Sequence, residues 1–95
     1  MATIYNSTSF TIDGNSQLVL ESRPRRTFLT ITNLSDADVA YLSLNDAASS
    51  GTGMGIHPGS VLTLEVNEAF NEALYGITAG NNVTLSIEER YDDTV

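Results

Sequence analysis

The chain has 95 residues, room for one small domain with a thin core. Twelve acidic residues against four arginines, with no lysine, give a formal net charge of −8. That balance excludes the broad basic footprint of a general nucleic-acid binder. The absence of cysteine excludes disulfides, thiolate zinc sites and cysteine nucleophiles within these residues.

No apolar run approaches the roughly 18 residues that a membrane-spanning helix needs, so no membrane partner is expected. The first residues, MATIYNSTSF, hold neither a basic n-region nor a continuous apolar h-region, and the expectation is a soluble protein made in cytoplasm. In SFTI, Phe10 and Ile12 alternate with polar residues, and Asp13-Gly14-Asn15 then reads as a turn. QLVLE follows as a second strand or half of a hairpin. Pro24 fixes φ and donates no hydrogen bond, so it marks the entry to a third strand, with Arg25 and Arg26 pointing to opposite faces just beyond it. TFLTITN alternates strictly, Thr27, Leu29 and Ile31 on the core face and Phe28, Thr30 and Thr32 on the other.

Residues 33–38, NLSDAD, are dense in side chains that bond their own backbone in turns, and the chain should reverse there. VAYLSL comes next, with Ala40, Leu42 and Leu44 on one face and Val39, Tyr41 and Ser43 on the other. NDAASSGTGMG is small and glycine-rich and reads as a mobile loop. His57-Pro58-Gly59 fits a type II turn. SVLTLEV is a strand with Leu62, Leu64 and Val66 inward, NEAFN at 67–71 a single helical turn at most, and ALYGITA an apolar strand closed by the reversal AGNN. In NVTLSIEER, Val83, Leu85 and Ile87 share one face and Thr84, Ser86 and Glu88 the other.

No segment carries a sustained helical stripe. About eight short strands with closely spaced turns predict one all-β domain over residues 1–95, an antiparallel β-sandwich or jelly-roll-like barrel, with 91–95 a solvated tail. Its expected core is Leu29, Ile31, Leu42, Leu44, Leu62, Leu64, Val83, Leu85 and Ile87.

Catalytic chemistry finds few candidates. His57 is the sole histidine and precedes a proline in a turn, and no serine sits in a G-x-S-x-G elbow. Asp36 and Asp38 form a D-x-D without the remaining ligands of a calcium loop, and GTGMG at 51–55 lacks the lysine of a phosphate cradle. Glu88 and Glu89 point to opposite faces of one strand, so they do not form a glycosidase pair. The expectation is no enzyme activity, no cofactor and no metal.

The arginines carry the strongest lead. Arg23, Arg25 and Arg26 crowd into four positions of an acidic chain. One reading is intramolecular, with pairing to Glu21, Glu65 or the C-terminal acids, where an exposed pair is worth about 0 to 1 kcal/mol. The other places Arg23, Arg25 and Arg26, together with Tyr41, at a protein–protein interface, with Tyr41, Tyr5, Tyr75 and Tyr91 as the stacking partners a neighbouring subunit could offer, because guanidinium forks bind carboxylates bidentately and stack on aromatic rings.

R-P-R-R-T-F-L-T-I-T-N-L-S, a basic cluster running into an alternating strand that ends in Asn and a small polar residue, resembles a pattern of small virion proteins of tailed bacteriophages. The order of VAYLSL, a glycine-rich loop, I-H-P-G-S, A-L-Y-G-I-T-A and a final strand is similar too, so the resemblance runs from about Leu20 to Glu89. It implies a β-sandwich that decorates or cements a capsid as a repeated subunit on the virion surface. The major capsid protein or another virion protein would be its partner, together with further copies of itself, a trimer first and a dimer second. The alternative is a small recognition module binding glycan or protein through loops 45–57 and 67–72.

Overall fold

The computed structural model describes residues 2–65 and 71–92. It holds eight strands, β1 (Thr3–Ile12), β2 (Gln17–Leu20), β3 (Arg26–Asn33), β4 (Ala40–Leu44), β5 (Met54–Ile56), β6 (Val61–Leu64), β7 (Leu74–Thr78) and β8 (Val83–Asp92). They form two four-stranded antiparallel sheets, one in the order β1-β8-β3-β6 and the other β2-β7-β4-β5. Sequence neighbours therefore lie in opposite sheets for most of the chain. The pairs β1–β8, β2–β7, β3–β6 and β4–β5 nest like the rungs of one long hairpin wrapped into a sandwich, which is the jelly-roll arrangement. No helix of the described residues is long and apolar enough to cross a membrane.

Turn chemistry fixes the wrapping. Asn15 N–H donates to Asp13 Oδ1 at 2.8 Å, closing the turn between β1 and β2. Asn33 is fully buried. Its side-chain amide donates to Asp38 O and Ile56 O, both at 2.8 Å, while its Oδ1 accepts from Ser35 N–H. One side chain thus ties three segments at the end of β3. At His57–Ser60, Ser60 N–H reaches His57 O at 3.0 Å and Gly59 takes φ 76°, the type II turn that Pro58-Gly59 predicts.

The core is Ile12, Val19, Leu29, Ile31, Ala40, Leu42, Ile56, Leu74, Val83, Leu85 and Ile87, with Phe10, Leu20, Met54, Leu62 and Leu64 packed around it. On β7, Gly76 is roofed by the side chains of its neighbours in the same sheet, Val19 of β2 and Leu42 of β4, with Ile12 of the facing sheet 3.3 Å from where a Cβ would stand. A Cβ there would lie 2.9 Å from Val19 Cγ2 and 3.1 Å from Leu42 Cδ2.

Several expectations are corrected. Leu44 shares the inward face but is 42% exposed, because the β4–β5 pairing stops at Leu42 and leaves its flank open. Leu62 and Leu64 are half-buried, since β6 is an edge strand. The glycine-rich segment contains β5, whose three residues are too few to display a period, and Ile56 enters the core from it. Tyr91 and Asp92 are not tail residues but the last two of β8, paired to Ile4 and Thr3. Val66 and most of the 67–72 loop lie outside the described residues, as do 93–95.

The outer face of the first sheet is dressed in hydroxyls. Its cross-strand rows run Ser7–Glu88–Thr30–Thr63 and Ser9–Ser86–Thr32–Val61, the side of each strand that alternation turns to water.

Candidate functional site

The arginine cluster is built on an irregularity. Arg25 takes φ 60°, and the register of β3 against β8 slips between Arg26 and Phe28, so that Arg26 faces Tyr91 while Phe28 faces Arg90. Thr27 is the extra residue of a β-bulge, which reverses the facing of everything before it. Strict alternation back from Leu29 puts Thr27 inside and Arg26 outside. The bulge does the opposite, and Arg26 points into the sandwich.

There its guanidinium is fully buried. Nε donates to Glu89 Oε2 at 2.9 Å, Nη2 to Glu21 O at 2.9 Å and Nη1 to Glu72 O at 3.3 Å. Glu89, whose side chain is 2% exposed, also accepts two hydrogen bonds from Arg23, from Nε at 3.2 Å and Nη2 at 3.3 Å. Arg23 sits at the rim with its guanidinium carbon 4.1 Å from the centre of the Tyr91 ring, a stacked cation. Asn71 joins the same end of the sandwich, accepting from Arg23 N–H through its backbone oxygen and from Arg26 N–H through its side chain.

The electrostatics follow from this geometry. Burial by itself pushes the Glu89 carboxyl up, but hydrogen bonds from Arg23 and Arg26 and their two positive charges outweigh it, holding the group below the ordinary carboxylate value. The hydrogen bond to Glu89 in turn raises Arg23, against a partial desolvation that lowers it. A buried carboxylate shared by two guanidiniums can clamp chain segments together. It joins β8, the start of β3, the segment after β2 and the segment before β7. The Arg26 and Glu89 side chains are enclosed in the sandwich, while Arg23 stays partly open to solvent at the rim.

The interface expectation therefore divides. Arg26 is withdrawn inside the sandwich, and Arg23 is half-buried against Glu89 and Tyr91. Arg25 remains exposed at the surface, with Nε donating to Asp92 O at 3.1 Å. Tyr41 lies on β4 in the other sheet, in contact with Gly55 across the ladder, so the structure does not bring it to the arginines. Glu89 could have been found from the sequence, since it continues the inward parity of Val83, Leu85 and Ile87.

Sequence reading missed the fourth arginine. On the outer face of the first sheet, Arg90 lies 5.2 Å from the centre of the Phe28 ring, with Nε donating to Thr27 Oγ1 at 3.0 Å. Tyr5, 72% exposed, is directly opposite Arg90 on β1. Tyr5, Phe28, Arg90, Ser7, Thr30 and Glu88 line a shallow open groove of about 350 Å³. Ser7 Oγ donates to the Glu88 carboxylate across its floor. Among the described residues no three His, Cys, Asp or Glu side chains gather as a metal site.

No protein-family model matches the chain, and no curated protein matches it. Among solved structures it is similar to one described as Bacillus endospore appendages, a novel family of disulfide-linked pili, with a TM-score of 0.55. The likeness covers 98% of this chain and 88% of that one at 12% sequence identity, so the two share a fold.

Proposed function

We propose that the protein is a repeated structural subunit, carried on the virion of a tailed bacteriophage and acting through protein–protein contacts with the major capsid protein or a neighbouring virion protein. The observation that carries the reading is the fold: a jelly roll spanning nearly the whole chain, similar to that of an appendage subunit. The resemblance over Leu20 to Glu89 supplies the phage context. The buried Arg26–Glu89 clamp adds a physical reason, because it spends the cluster's central charge on holding the sandwich shut. The disulfide linkage named for the similar pilus has no counterpart here, since these 95 residues contain no cysteine. Through these residues, cohesion would come from noncovalent contacts. Binding only to the assembled shell would stabilise that shell by mass action.

Co-sedimentation of the purified chain with tailed-phage particles, read by electron microscopy, tests the reading. Saturable binding in a regular array is expected, weakened by Arg25→Glu at the exposed arginine. Binding to no particle, with no regular assembly of the protein itself, would overturn it.

A second reading has its own observation. The groove beside Tyr5 offers an exposed ring, a stacked guanidinium and a carboxylate, a combination suited to a glycan. Glycan binding abolished by Tyr5→Ala would favour a recognition module, one that binds through this sheet face and not through loops 45–57 and 67–72.

A further inference from the structure

We infer that strand β1 is an assembly edge, and that its occupant is the β1 strand of a second copy of this chain, running antiparallel about a two-fold axis at Ser7. The inference names the first partner of the structural subunit proposed above, and rests on that reading only for its setting.

β1 lies at the edge of its sheet, with β8 on one side and, among the described residues, no strand on the other. Edge strands in soluble proteins are blunted by charge, proline, a bulge or shortness, because a row of open N–H and C=O groups is a template for another strand. β1 has none of these protections. TIYNSTSFTI is ten residues long, contains no charged residue and no proline, and keeps an unbroken register with β8 from Thr3–Asp92 to Ile12–Val83. The other edges differ. β6 and β2 have four residues each and β5 has three, and β2 is interrupted by a register shift.

The hydrogen-bond phase shows which groups are open. Asp92 N–H donates to Arg25 O and Thr84 O accepts from Leu34 N–H, so the even-numbered residues of β8 turn their backbone groups toward β3. The odd-numbered ones then turn toward β1. Through the register, their partners are Ile4, Asn6, Thr8, Phe10 and Ile12. The backbone groups of Thr3, Tyr5, Ser7, Ser9 and Thr11 accordingly point away from the sheet.

These five residues are self-complementary. About a two-fold at Ser7, Thr3 falls opposite Thr11 of the second copy, Tyr5 opposite Ser9, and Ser7 opposite itself. Every pair is of the kind that exchanges both hydrogen bonds, and the side chains facing one another are neutral. On the inner face Ile4 meets Phe10 and Asn6 meets Thr8, so two half-buried apolar side chains gain an apolar neighbour. Length selects this occupant, because no other described edge can satisfy all five positions. The contact is isologous and closes as a dimer with one continuous eight-stranded sheet.

Proline separates the inference from a folding effect. Ser7→Pro removes an outward N–H and leaves the bonds to β8 in place, whereas Thr8→Pro removes an N–H that pairs with Ile87. In sedimentation velocity the wild-type chain is expected as a reversible dimer of twice 10.2 kDa. Ser7→Pro is expected as a monomer with an unchanged circular dichroism spectrum, and Thr8→Pro as a destabilised fold. In the wild type, the amides of Tyr5, Ser7 and Ser9 should be protected from hydrogen exchange.

A wild-type monomer at the highest soluble concentration, or a dimer that Ser7→Pro leaves intact, would overturn the inference. So would solvent-rate exchange at those amides, which decides the matter even if Ser7→Pro misfolds. A monomer that still decorates phage particles would sink the β1 dimer and leave the structural reading standing. A β1 dimer that binds no particle and forms no regular assembly would do the reverse.

Discussion

The Arg26 and Glu89 side chains are buried together, and each supplies the other's opposite charge, with Arg23 as a second partner of Glu89. Removing one partner of such a pair leaves an unpaired charge in low dielectric and costs about 3 to 5 kcal/mol. Arg26→Ala should fall toward the lower end, since Glu89 keeps Arg23. Arg23→Ala, at a rim position open to solvent screening, should cost under about 1 kcal/mol. Urea unfolding of the two variants checks the ranking, and equal losses would refute it. The same carboxylate sets an acid limit. With its folded value depressed below the usual 4.5, Glu89 contributes stability that is complete above that value and is lost as pH falls through the folded one. Melting temperature followed downward from pH 5 should decline more steeply for the wild type than for Glu89→Gln, which is destabilised throughout.

The strands divide labour by face. In β8, Val83, Leu85, Ile87 and Glu89 are buried, while Thr84, Ser86 and Arg90 are half-exposed and Glu88 is exposed. Leu85→Ala should therefore cost about 2 to 5 kcal/mol through the cavity it leaves, and Thr84→Ala little, as measured by denaturant midpoints. β3 shows where this logic bends. Its alternation is strict from Leu29 to Asn33 and holds in the structure, yet one extra residue at Thr27 reverses the facing of Arg26. A two-residue period cannot announce a bulge, because the bulge exists only against a partner strand. β5 was invisible for a different reason. Three residues among glycines gain strand character only from their pairing with Ala40–Leu42.

For the molecule as a whole, the −8 charge opposes association of identical copies at long range. A β1–β1 contact is made of neutral groups, so added salt should tighten the dimer by screening that repulsion. Contacts made by Arg25 to an acidic partner should loosen with salt. Titrating sodium chloride while following dimer mass and particle binding separately distinguishes the two kinds of contact. Opposite responses are expected, and a dimer that dissociates as salt rises would contradict the neutral edge.

The sequence by itself determined the all-β class, most of the strands, the inward set Leu29, Ile31, Leu42, Val83, Leu85 and Ile87, and the type II turn at Pro58-Gly59. All of these follow from interactions between residues close in the chain, where side-chain period and backbone preference act directly. Only the tertiary structure decided which strands are neighbours, that Val19 and Leu42 leave no room for a side chain at Gly76, that Leu44 is left at an open flank, and that Arg26 turns inward to Glu89, 63 positions away. Those outcomes depend on partners distant in sequence, and neither a local period nor a charge cluster contains the register that brings them together.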